Sequence, residues 1–147
     1  MAQTTSGTQI FISNALPATQ DKAGYEALAW IEVGEVTDIA EFGRTYEEII
    51  TNYLNQRRVA KHKGNYDEGS PAITVTRNTG DDGQQACQTA LASDDNSAFK
   101  ILHQNADVDY FEAKVLSYTQ EIGAANKTYN ASIQLSIDSD IVPVDAA

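Results

Sequence analysis

Residues 128 to 140, TYNASIQLSIDSD, alternate strictly. Tyr129, Ala131, Ile133, Leu135 and Ile137 fall on one side, and Asn130, Ser132, Gln134, Ser136 and Asp138 on the other. A period of two belongs to an extended strand, whose successive Cβ atoms point to opposite faces of a sheet. This stretch therefore commits the C-terminal part of the chain to a sheet with one dry face and one wet face. The wet face is small and polar, and what it touches is the question the sequence poses.

Other segments carry the same signature. Thr8 to Ser13, residues 28–33 (LAWIEV), Val36 to Ile39 beyond a bulge or kink at Gly34, residues 72–78 (AITVTRN), Ala98 to His103 and Asp109 to Ile122 all read as strands. Within the last of these, Phe111, Ala113 and Val115 share a face, yet Leu116 and Tyr118 are apolar on the other. That shift of register predicts a bulge near Leu116. Gly123 to Lys127 turns the chain back, so residues 108–138 make a hairpin. NALPATQDKAGY, with Pro17 and Gly24, reads as a loop, and Asn65 to Pro71 as a turn cluster. Residues 40–70 form a long excursion in which Tyr46, Ile49, Ile50 and Tyr53 fit either a helical face or a strand near 45–51.

One helix is expected, over 81–94. Asp81 or Asp82 caps it, its side chain accepting from free first-turn amides and its charge suiting the dipole. Ala86, Cys87, Ala90 and Leu91 form a narrow stripe of mostly small residues for docking on a sheet. Cys87 reads as packing, and as the lone cysteine it excludes an internal disulfide. The layout is mainly β: a small β-sandwich or barrel with one flanking α-helix and a long inter-strand loop, in a single domain over 1–147 with a mobile arm at 1–7.

Chemistry is sparse. His62 and His103 stand far apart, no Gly-x-Ser-x-Gly elbow, phosphate loop or Cys-x-x-Cys pair occurs, and no base lies near Cys87 in sequence. Acidic pairs at Asp81-Asp82, Asp94-Asp95, Asp107/Asp109 and Asp138/Asp140 do not extend into loops offering the six or more oxygens calcium needs. No catalytic site, metal or cofactor is expected. No apolar run approaches the roughly 20 residues of a membrane span, so no membrane insertion is expected. The start lacks a basic and apolar leader, which points to cytoplasmic synthesis.

Charge is more informative. The formal net charge is −11, from 21 acidic residues against ten Lys and Arg, which disfavours gripping nucleic acid. The signs are also segregated. Glu32, Glu35, Asp38, Glu41, Glu47 and Glu48 precede a basic run of Arg57, Arg58, Lys61 and Lys63. Either the two pair within one hairpin, or the basic loop of one copy meets the acidic surface of another, giving rings or filaments.

The ordered pattern of EVGEVTDI, the excursion RTYEEIITNYLNQRRVAKHKGNYDEGSPAITVTRN, the helix DDGQQACQTALAS and the hairpin FEAKVLSYTQEIGAANKTYNASIQLSID resembles the major tail tube protein family of long-tailed bacteriophages. The resemblance implies a β-sandwich subunit, made in the host cytoplasm and resident in the virion tail, that stacks as hexameric rings. The tube so formed conducts the genome. It implies partners as well: further copies of the chain, and the tape measure, tail terminator and distal tail proteins, with DNA passing unbound. In that setting Asn130, Ser132, Gln134, Ser136 and Asp138 face the bore, and Arg57, Arg58, Lys61 and Lys63 with Glu41, Glu47 and Glu48 form the joint between subunits or rings. Lys114 and Lys127 are basic exceptions to the neutral wall. Two other readings stand beside it: the inner tube of a contractile injection or type VI secretion machine, and a monomeric binding module with an aromatic patch from Tyr25, Trp30, Tyr46 and Tyr53.

Overall fold

The computed structural model describes residues 7–125 and 129–145. The N-terminal arm, apart from Gly7, lies outside them, as do Asn126 and Lys127 of the expected turn and Thr128 after it. The strands are β1 (Gln9–Ser13), β2 (Ile31–Val33), β3 (Val36–Ile39), β4 (Thr45–Thr51), β5 (Ala60–Asp67), β6 (Ala72–Thr76), β7 (Ser97–Leu102), β8 (Val108–Glu121), β9 (Asn130–Ile137) and β10 (Val142–Val144), of which β5 and β10 were not expected and β2 is shorter than the expected 28–33. The helices are α1 (Lys22–Glu26) and α2 (Asp82–Leu91). The excursion thus resolves as strands, and β5 runs through Asn65 to Asp67, where a turn was expected.

Eight strands make one antiparallel sheet in the order β2-β1-β7-β8-β9-β6-β3, with β10 also on β8. The first and last strands of that path, β2 and β3, are separated in sequence by only Gly34 and Glu35. The sheet therefore curls until its two ends are covalent neighbours: Val36 to Ile39 does not continue the second strand past Gly34 as expected, and Gly34 lies at the corner where the chain crosses to the other end of the sheet. β8 serves both halves. Residues 108–113 pair with β7, whereas Ala113 to Glu121 pair with β9. The register jumps from Val115↔Leu135 to Ser117↔Gln134, so Leu116 is the bulged residue.

The inner face is one core. Ile10, Ile12, Val33, Ile73, Val75, Phe99, Ile101, Phe111, Ile133 and Leu135 are each at most 3% exposed and belong to a single cluster drawn from both halves of the sheet. α2 joins it. Asp81 caps the helix by accepting from the Gln84 amide at 2.9 Å, and the same carboxylate oxygen accepts from the Gly34 amide at 3.0 Å. Gln84 is 1% exposed, and its side chain satisfies four groups. It donates to the Gly34 and Thr76 carbonyls and accepts from the Asn78 amide and the Tyr118 hydroxyl, at 3.0–3.2 Å. Gly83 lets the helix approach closely, for a Cβ there would lie 2.1 Å from the Glu32 oxygen and 2.4 Å from Val33 Cα.

A second helix, α1, occupies the segment read as a loop. Asp21 caps it, and Tyr25, fully buried, stacks on Tyr110 with ring centroids 5.1 Å apart. With Trp30, Val108 and Val142 this forms a separate apolar cluster. Gly24 and a length of five residues hide α1 from any periodicity test.

Candidate assembly surfaces

The wet side of β9 belongs to a four-stranded patch, β8-β9-β6-β3. On β9, Ala131, Ile133, Leu135 and Ile137 are buried, while Asn130, Ser132, Gln134 and Ser136 are half-buried and Asp138 is exposed. Register adds neighbours the sequence did not nominate. Ser132 lies opposite Thr74 on β6 and Thr119 on β8, Asn130 opposite Thr76 and Glu121, and Gln134 opposite Ala72 and Ser117. Their pairing depends on which strands meet, and no local pattern states that.

The result is a surface mainly of hydroxyls and amides, with Ala72 and the carboxylates of Asp38 and Glu121 among the facing positions. Lys114, opposite Ser136, is its basic member among the paired positions. Its ammonium donates to Asp138 at 2.8 Å and to Asn96 at 2.8 Å. Asp138 consequently sits below the usual carboxylate range, chiefly through that hydrogen bond from Lys114 and then through one from Asn96. Lys127 lies outside the described residues.

Both flanks of this patch are open. Among the described residues, β3 pairs with β6 alone, and β8 beyond Ala113 pairs with β9 alone. Unpaired strand edges are adhesive, and folded proteins either cover them or use them.

β4 and β5 form a ribbon of their own. It is rooted at two glycines with positive φ, Gly43 (+148) and Gly69 (+110), joined where the Gly43 amide donates to the Glu68 carbonyl at 2.9 Å. Arg44 adds ion pairs to Glu68 at 2.6 Å and to Asp140 at 3.4 Å. Seven of the twelve large apolar side chains exposed among the described residues lie on this ribbon, including Ile49, Ile50, Tyr53 and Leu54. A lone two-stranded ribbon is marginal in water, and an apolar load of this size is the kind of surface that proteins bury in contacts.

The ribbon brings part of the predicted joint together. Glu48 faces Lys63 and Ile50 faces Lys61 across it, Glu47 lies at the bulge between paired positions, and Arg57 and Arg58 are at the tip. Glu41 lies outside it, before the Gly43 root. All seven charged residues are exposed, and none of them forms an ion pair within 4 Å among the described residues. Lys63 instead sits over the Tyr46 ring, 4.8 Å from its centroid.

On α2, Ala86, Cys87 and Ala90 are buried, whereas Leu91 is 38% exposed at the helix end. Burial pushes the Cys87 thiol up to about 12. The four aromatics of the binding-module reading do not share a patch: Tyr25 and Trp30 pack with Tyr110, and Tyr46 packs with Tyr66 on the ribbon. Among the described residues no group of three or more His, Cys, Asp or Glu is placed to hold a metal ion.

A family model described as lambda phage tail tube protein matches residues 18–139. No curated protein matches the chain in sequence. Solved structures are similar in fold. The SPP1 tail tube superposes with a TM-score of 0.69 at 13% identity, over 95% of this chain and 77% of that one. The sheath/tube terminator of the extracellular contractile injection system PVC gives 0.72 at 10% identity, over 99% and 98%. The tail of an empty gene transfer agent particle, refined with C6 symmetry, gives 0.68 at 11% identity, over 98% and 100%.

Proposed function

The chain belongs to the lambda phage tail tube protein family, and from that premise we propose that six copies close into a ring through the open edges of β3 and β8, and that stacked rings form a conduit walled by the hydroxyl and amide face. The protein is a structural tail tube subunit of a virion, and not an enzyme. The observation that carries the ring reading is the pairing of one polar, uncovered sheet face with two unpaired flanks on the same four strands.

Strand direction favours closure. β8, β9, β6 and β3 alternate, so β3 of one copy runs antiparallel to β8 of the next around a rotation axis. Sixfold symmetry, as in the gene transfer agent tail, gives a wall of about two dozen strands. With about 4.8 Å between strands and a tilt of about 40°, such a barrel is roughly 48 Å across between backbones. Inward side chains of about 5 Å on each side leave a bore on the order of 40 Å.

The wall chemistry suits passage. Each Lys or Arg that contacts a phosphate releases counterions and adds affinity, so a conduit needs few of them. Here the paired positions offer mainly Ser, Thr, Asn and Gln, with the acids Asp38 and Glu121, and Lys114 is already engaged by Asp138. The net charge of −11 opposes adhesion further. The ribbon, with its apolar and basic tip, reaches other copies, and the tape measure, tail terminator and distal tail proteins complete the set of partners.

The fold likeness to the PVC terminator keeps a contractile injection tube as the second reading. Genomic neighbours separate the two, since capsid and tape-measure genes accompany the first and sheath and ATPase genes the second. The direct test is negative-stain microscopy of the purified protein together with complementation of a tube-deficient phage. Rings or tubes and restored tails are expected; a strict monomer that restores no tails contradicts the proposal.

A further inference from the structure

Beside the unpaired edge of β3 lies a groove of about 370 Å³. Val36, Ile39 and Phe42 form one side and Ile101 part of the other, with Asp38 and Glu41 also lining it. The three apolar residues on the β3 side pack against the core, so the groove is a place where the apolar interior opens toward the sheet edge. An edge that exposes both unpaired backbone and an apolar cleft is doubly unfavourable in water.

The opposite flank carries a matching oddity. Between Lys114 and Glu121 on β8, the one large apolar side chain left exposed is Leu116, at 55%. Its neighbours are accounted for within the chain, since Val115 is buried and Tyr118 packs against the core. The bulge takes Leu116 out of the alternation that buries them. Bulges often protect a free edge by twisting it away, yet here the bulge presents an apolar side chain, which serves attachment rather than avoidance.

We infer that Leu116 of one copy seats in the Val36–Ile39–Phe42 groove of the next, so that the bulge on β8 is the knob, and the cleft beside β3 the hole, of the contact between ring neighbours. This rests on the ring reading above and adds to it the side chain that gives edge pairing its specificity. Backbone ladders alone are degenerate in register, because any strand edge can join any other. A single aliphatic knob entering an apolar cleft selects one register and excludes water from the ladder beside it. The occupant is a second copy because the groove lies on the flank that ring closure covers, and Leu116 lies on the flank that does the covering. Leu54 at the ribbon tip is the competing occupant, and the test includes it.

The lone native cysteine, Cys87, is 1% exposed, so introduced cysteines report without interference. The double variant Leu116→Cys with Ala40→Cys, oxidised after assembly, should give a covalent ladder of copies that neither single variant gives. Leu116→Asp should retain the circular dichroism and melting temperature of the parent, because the side chain is already exposed in the monomer. It should nevertheless raise the protein concentration needed for half-maximal assembly by at least about tenfold, as expected for loss of one buried aliphatic group per contact. Leu116→Met should assemble like the parent. Rings or tubes that form normally with Leu116→Asp overturn the inference and leave the ring reading intact. So does a ladder that appears with Leu54→Cys and Ala40→Cys but not with Leu116→Cys and Ala40→Cys. If the parent protein forms no ring at all, the ring reading falls and this inference with it.

Discussion

Gln84, itself buried, closes the corner between the two ends of the sheet by bonding two carbonyls, an amide and a hydroxyl. Replacing it with Met keeps the bulk and removes all four hydrogen bonds at once. At about 1–3 kcal/mol for each unsatisfied buried group, with partial relief by water, Gln84→Met is expected to lose about 3 kcal/mol in urea unfolding. Gly83→Ala is expected to cost about as much or more, because its Cβ meets the backbone of β2 and not a movable side chain. Cys87 gives a chemical readout of the same region. Its thiol pKa is raised in the folded state, so the associated stability is whole below the unfolded value near 9 and is lost as pH rises toward about 12. Thiol labelling at pH 8 should therefore track global unfolding, and rapid labelling of the folded protein would contradict the buried placement.

Elements differ in how openly the sequence announces them. β9 is legible because one face is buried and the other wet, and the bulge at Leu116 is legible because it breaks such a pattern. The ribbon is legible only in part. Both faces of β4 and β5 are exposed within the subunit, so no burial imposes a period, and Tyr46, Ile49 and Ile50 fit either element. The polar face is half legible: Ser132 and Gln134 stand out by alternation, while Thr74, Thr119 and Ser117 join them only through a register set by distant strands. The two faces of β9 predict opposite outcomes for adjacent residues. Ile133→Asp should prevent folding, since a fully buried site offers that carboxylate no partner. Ser132→Arg should leave the melting temperature within a few degrees of the parent. On the ribbon, Arg57→Glu with Arg58→Glu should leave the monomer folded, because exposed charges contribute little to its stability, and should weaken assembly in a salt-dependent way. Light scattering at two ionic strengths reads this, and unchanged assembly at low salt would remove the ribbon tip from the joint.

For the molecule as a whole, the subunit is finished on one side and unfinished on the other. The outer face of the β7 half is sealed by α1 and its aromatic cluster, whereas the four strands from β8 to β3 keep a bare polar face and two unpaired flanks. The proposed ring resolves these together, since its closure pairs the flanks and turns the face toward water and passing DNA. Virions built with Ser132→Arg and Gln134→Arg should therefore carry complete tails but deliver their genomes more slowly, which potassium-efflux or dye-release kinetics would record. The most direct measurement is a helical reconstruction of the assembled protein at side-chain resolution. The account predicts a hollow cylinder whose inner surface carries Ser132, Gln134 and Thr74, with β3 of each copy laddered to β8 of the next. A cylinder with those side chains on its outer surface, or an assembly with no continuous bore, would contradict it.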